Sequence, residues 1–263
     1  MNQGDRERGT SAGGYVRLFD AQSGFGGPEG GKEEAVGVDE YVDEMSRLGI
    51  ARALVRTAPN DLIVDTCAAN NELYGACEEH RELTPCPMLV PNTAYDRAPD
   101  EEQIADAIAR GSGAAVLRPK LDRWDLAAWC GGPLLAGLAE RRLPVFCSIK
   151  EFSFGDLADL ARRYPDMPLI AAELQYLQQR TLVPLLETFP NVYASLGSNY
   201  VVYGGIALLV DKVGPERLLF GTGFPAAEPM GAATMLMYAP VSDDAKALIG
   251  SANLERLLEG IER

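Results

Sequence analysis

The chain has 263 residues, 47% of them apolar, which is enough to bury a sizeable core. Lys and Arg number 24 against 38 Asp and Glu, a formal net charge of −14, and a surface of that sign repels nucleic acid and anionic membranes. No apolar stretch approaches the ~18 residues of a membrane span, and five cysteines without a C-x-x-C pair or a secretory leader point to reduced thiols in a cytoplasmic protein.

The polar start, residues 1–14, reads as a disordered tail ahead of a single domain over 15–263. YVRLFD (15–20) has the pattern of a first strand, and VDEYVDEMSRLG (38–49) that of an amphipathic helix ending on Gly49. ARALVRT (51–57) is a second strand, 65–80 a long helix, PCPMLV (85–90) a third strand, 100–111 a helix with an acidic first turn, and AAVLRP (114–119) a fourth strand. The second half repeats the alternation. Helices over 133–142, 154–165, 178–190 and 206–214 separate strands over 143–148, 167–173, 191–196 and 217–222, and helical turns over 243–260 close the chain. Such alternation favours a parallel sheet, and unbroken apolar strands favour one covered on both faces. A count of eight predicts a closed (β/α)8 barrel, a TIM barrel, rather than an open sheet. No G-x-G-x-x-G follows the first strand, which argues against dinucleotide binding.

Several phrases, in order, resemble the amidohydrolase-related family of barrel hydrolases and decarboxylases. They include LFDAQSGFG (18–26), RRLPVFCS (141–148), DLARRYPDMPLIAAEL (156–174), GPERLLFGTGFP (214–225) and SDDAKALIGSANLERLL (242–258). The resemblance implies an Asp-x-His-x-His phrase on strand one, histidines ending strands five and six, and an aspartate after strand eight, together holding metal. Here Asp20 is kept, but the other positions read Gln22, Gly24, Ser148, Glu173 and Gly223. A metal needs three or four nitrogen, sulfur or carboxylate ligands. The expectation is therefore no metal and no cofactor, with only a hard cation on Asp20 and Glu173 left open. The resemblance also implies pairing into a homodimer.

Active sites of such barrels lie at the carboxyl ends of the strands. Reading those ends gives Gln22, Arg56, Asn92, Arg118, Lys120, Ser148, Lys150, Glu173, Gln175, Ser198 and Asn199. Four cations against one clear carboxylate predict a pocket for a small anionic molecule, a carboxylate in particular. Glu173 is the candidate general acid or base, with Lys150 and Asp20 beside it. Gln22, Arg56, Asn92, Arg118 and Ser148 are the candidate substrate-binding residues. The expected function is a metal-independent hydrolase or lyase on a small carboxylated substrate. The alternative is a family member without turnover that binds or senses a small anion. The lone histidine, His80, is expected on the outer end of the second helix, and Cys147 turned into the core by strand alternation. The glycine-rich segment 24–34 is a plain flexible loop or a lid. The stretch 230–240 is packing or a subunit contact.

Overall fold

The computed structural model describes residues 16–26, 35–57 and 65–263; the expected tail and most of the 24–34 segment lie outside them. Eight parallel strands alternate with helices: β1 Leu18–Phe25, β2 Ile50–Thr57, β3 Leu83–Pro85, β4 Ala115–Val116, β5 Val145–Ser148, β6 Leu169–Ala172, β7 Val192–Leu196 and β8 Leu218–Phe220. The helices are α1 Val38–Leu48, α2 Thr66–Glu79, α3 Asp100–Ala109, α4 Gly132–Glu140, α5 Phe154–Arg163, α6 Gln179–Thr188, α7 Gly205–Val213, α8 Met230–Met237, α9 Asp243–Ala247 and α10 Asn253–Glu259. This is a (β/α)8 barrel.

Local signals start and stop the elements. Asp65 caps α2 by accepting the Cys67 N–H at 2.9 Å, and Ser153 with Asp156 forms a capping box on α5. Gly49 ends α1 in the left-handed conformation, φ 69°. The strands bury nearly every residue, as both-face cover requires.

The ladder is continuous in two runs, β1–β2–β3 and β4 through β8. Other contacts close the two seams between them. At the first, Val116 N–H donates to Pro87 and Leu89 N–H donates to Val116. Asn70 on α2 steadies that stretch, clasping both the N–H and the C=O of Met88. The third strand therefore breaks after Pro85 rather than running to 90. At the second seam, Gly223 N–H donates to Gln22 O at 2.7 Å and Gly24 N–H to Phe224 O at 3.0 Å. β1 accordingly continues five residues past the expected end at Asp20, through residues whose polarity reads as loop. The apolar stretch from 230 forms the short helix α8.

Candidate active site

A cavity of about 160 Å³ opens at the carboxyl ends of β2 to β5. Arg56 and Thr57 enter it from β2, Arg118 from just beyond β4, and Ser148, Lys150 and Glu151 from the end of β5. Four residues predicted from the sequence therefore converge: Arg56, Arg118, Ser148 and Lys150.

Arg118 is 5% exposed. A turn folds back after β4, with Asp122 N–H donating to the Arg118 carbonyl at 2.8 Å. This sets the Asp122 carboxylate against two guanidinium nitrogens, Nη2 at 2.8 Å and Nε at 3.2 Å. The third nitrogen, Nη1, is buried and has no hydrogen-bond partner among the described residues. A buried donor left unpaired costs about 1–3 kcal/mol, more when charged.

Glu173 follows β6 with φ +60°, and its N–H donates to Gln22 Oε1 at 2.9 Å. Arg56 Nη2 lies 2.6 Å from Oε1, the Ser148 hydroxyl donates to Oε2, and Lys150 Nζ stands 3.7 Å from Oε2. Burial alone would push this carboxyl up. The Arg56 charge, the Ser148 hydroxyl and Lys150 outweigh it and hold Glu173 below the usual carboxylate range. Glu173 is thus an ionised hub that ties Arg56 and Ser148 together at the mouth of the barrel. The Arg56 guanidinium is itself laid over the Phe146 ring, 4.8 Å from its centroid.

Other expected members sit elsewhere. Asp20 is 1% exposed. Its carboxylate accepts from Gln22 N–H at 2.9 Å, Thr222 N–H at 3.0 Å and the Thr222 hydroxyl at 2.5 Å. That makes it a clip across the β8–β1 seam, not a group facing the cavity. Gln22 is buried with its oxygen committed to Glu173, its amide against Gly197 and Gly223. Asn92 braces its own loop, accepting from Arg97 N–H and donating its N–H to Asp100. Gln175 and Asn199 are exposed, and the Ser198 hydroxyl donates to the Glu228 carbonyl. Lys120 donates its ammonium to the Lys150 carbonyl.

Two carboxylates were missed. Asp122 pairs with Arg118, and Glu151 accepts the N–H groups of Lys120 and Leu121. The mouth is thus nearer charge balance than four cations to one carboxylate. The Arg118–Asp122 spacing was a readable signal, but only a turn makes it a contact. His80 caps the far end of α2 near Asp39, and Cys147 is buried with its thiol pushed up by burial, both as expected.

The residues do not fit a bound metal. A Cβ at Gly24 would fall 2.2 Å from the Arg56 carbonyl oxygen, so no ligand side chain fits there. Gly223 has no side chain to offer. The Asp20 oxygens are spent on Thr222, those of Glu173 on Arg56 and Ser148. Among the described residues no three His, Cys, Asp or Glu side chains converge as a metal site needs.

The family model described as Amidohydrolase matches residues 25–260. No curated protein matches the sequence. Among solved structures, a dihydroxybenzoic acid decarboxylase from Polaromonas sp. JS666, with bound manganese and the inhibitor 2-nitroresorcinol, superposes with a TM-score of 0.71. Identity is 12%, over 93% of this chain and 97% of that one. The 2,6-dihydroxybenzoate decarboxylase from Rhizobium gives 0.69 at 13% identity, over 93% and 99%. A TIM-barrel protein from Bordetella bronchiseptica gives 0.67 at 18%, over 86% and 84%. Likeness at these identities shows the shared fold.

Proposed function

The chain belongs to the amidohydrolase family, and from that membership we propose that it is a hydrolase or lyase acting on a small carboxylated substrate without a metal at the family's site. The observation that carries the reading is the unpartnered Nη1 of Arg118 beside a cavity it shares with Arg56, Ser148 and Lys150. A substrate carboxylate entering this cavity meets the Arg118 guanidinium, whose Nη1 is, among the described residues, the one buried charged donor without a hydrogen-bond partner. Asp122 holds the guanidinium plane, so this nitrogen is presented at fixed geometry. Lys150, about half exposed, adds a cation that reaches the same anion. Glu173 keeps Arg56 and the Ser148 hydroxyl in place. Relatives of this shape include decarboxylases of dihydroxybenzoates, which makes an aromatic carboxylate the first substrate class to try.

A second reading, a barrel that binds a small carboxylate without turning it over, rests on both Glu173 oxygens being engaged by Arg56 and Ser148. Calorimetry with 2,6-dihydroxybenzoate, benzoate and acetate tests the shared premise, and product analysis separates the two readings. We expect one of these carboxylates to bind, and Arg118→Ala to weaken it by about ten- to a hundredfold, the worth of a charged hydrogen bond. Equal binding by wild type and variant would refute the site. Bound carboxylate recovered unchanged after long incubation would leave the binding reading standing.

A further inference from the structure

We infer that the groove between α7 and α8 is a second ligand site, suited to a small uncharged ring compound that carries one hydrogen-bond acceptor, as an aryl ketone does. It is separate from the cavity of Arg56 and Arg118, with no lining residue in common. Its volume is about 530 Å³, inside the ~300–1,000 Å³ usual for ligand pockets.

A buried polar group points to an occupant. Tyr200 lines the groove and is 2% exposed, yet its hydroxyl has no hydrogen-bond partner among the described residues. Burial pushes this phenol up to about 12, so it keeps its proton and offers an O–H for an acceptor to take. A buried donor left unpaired is costly, and a ligand oxygen relieves that cost. The backbone beside it is cut back. A Cβ on Gly205 would stand 2.7 Å from the Val202 Cβ and 3.3 Å from Tyr200 Cε1, so glycine there lets the groove reach the ring. Gly204, next to it, adopts φ +65°, with nothing within 4 Å of where its Cβ would be.

The walls set the chemical class. Val202, Ile206 and Met235 supply apolar surface, and the exposed side chains of Tyr203 and Tyr238 add aromatic faces, which favour a flat ring. The chain carries a net −14, yet residues 197–210 and 229–242 hold no charged side chain. An ionised ligand would shed its water here without gaining a counter-charge, so the occupant is neutral. That distinguishes it from the carboxylates proposed for the other cavity.

Calorimetric titration of the full chain with acetophenone and with toluene tests this. Acetophenone should bind with a Kd on the order of 1 mM, as suits so small a ligand. Tyr200→Phe should weaken it about two- to tenfold, the worth of one neutral hydrogen bond, and leave toluene, which has no acceptor, unchanged. Thr234→Trp, at an exposed position in the wall, should fill the groove and abolish binding of both, while Arg118→Ala leaves them intact. Benzoate should not displace acetophenone. Both groove variants should keep the wild-type circular dichroism spectrum, since Thr234 is exposed and Phe repeats the Tyr200 ring without the unpaired hydroxyl. No saturable binding of acetophenone would overturn the inference. So would equal affinity in wild type and Tyr200→Phe, displacement by benzoate, or binding that Arg118→Ala removes and Thr234→Trp retains.

Discussion

Glu173 and Asp20 are both buried carboxylates, and their settings drive them in opposite directions. Arg56, Ser148 and Lys150 hold Glu173 low, so its folded pKa lies below its unfolded one. Its contribution to stability is complete above the ordinary carboxylate range and fades as pH falls through that range toward the folded value. Thermal unfolding followed from neutral to acid pH should show this loss, and Glu173→Gln should flatten that part of the profile. Burial pushes Asp20 up, so it contributes the reverse slope: the native state favours its proton, and that preference is lost as pH rises. Asp20→Asn, which keeps the shape, should unfold near the wild-type midpoint. Asp20→Ala leaves the N–H groups of Gln22 and Thr222 unpaired inside the barrel and should cost about 2–4 kcal/mol by denaturant titration. The sequence carried part of this. Strand ends located Arg56, Arg118, Ser148 and Lys150, because a strand's last residues point where the barrel opens. It did not separate Asp20 from them, because a residue 202 positions away decides what that carboxylate touches. Asn92 went astray for a nearer reason, a loop that folds on itself.

At the scale of elements, helices were legible nearly to their ends, since amphipathic spacing and caps are local. Strand lengths were less so. β1 runs on through DAQSGF because Ser23 and Gly24 pair with Val55 and Arg56, and because Gly223 and Phe224, just past β8, supply backbone partners on its other side. Polar residues at a barrel mouth look like loop until both neighbours are known. Gly24 is the point of closest approach. Gly24→Ala drives a methyl into the Arg56 carbonyl, so β1 and β2 must part where Arg56 is aimed at Glu173. We expect a loss near the upper end of the ~1–3 kcal/mol usual for overpacking, read by thermal unfolding. Carboxylate binding should weaken in the same variant, because Arg56 moves with its strand. α8 was visible only as an apolar stretch, its short length giving periodicity too little room.

Across the whole molecule, a net charge of −14 works against compactness, so moderate salt should raise the unfolding midpoint. Chelator should leave that midpoint where it is. A fold built around a metal loses binding free energy when the ion is stripped, whereas among the described residues Asp20 is held by Thr222 and Glu173 by Arg56 and Ser148, and no three metal-binding side chains converge. The barrel class itself was the most legible feature, because eight apolar runs between helices leave few other closed arrangements.

The seam between β8 and β1 also has a consequence in time. Its clip joins Asp20 to Thr222. During synthesis the first strand leaves the ribosome long before its neighbour exists. At about 5–20 residues per second, roughly 10–40 s pass before Thr222 is made. Throughout that interval β1 holds one edge without its final partner, with a buried aspartate still in water. Newborn chains interrupted before Thr222 should therefore be the ones that chaperones hold, and those released just after it the ones that close.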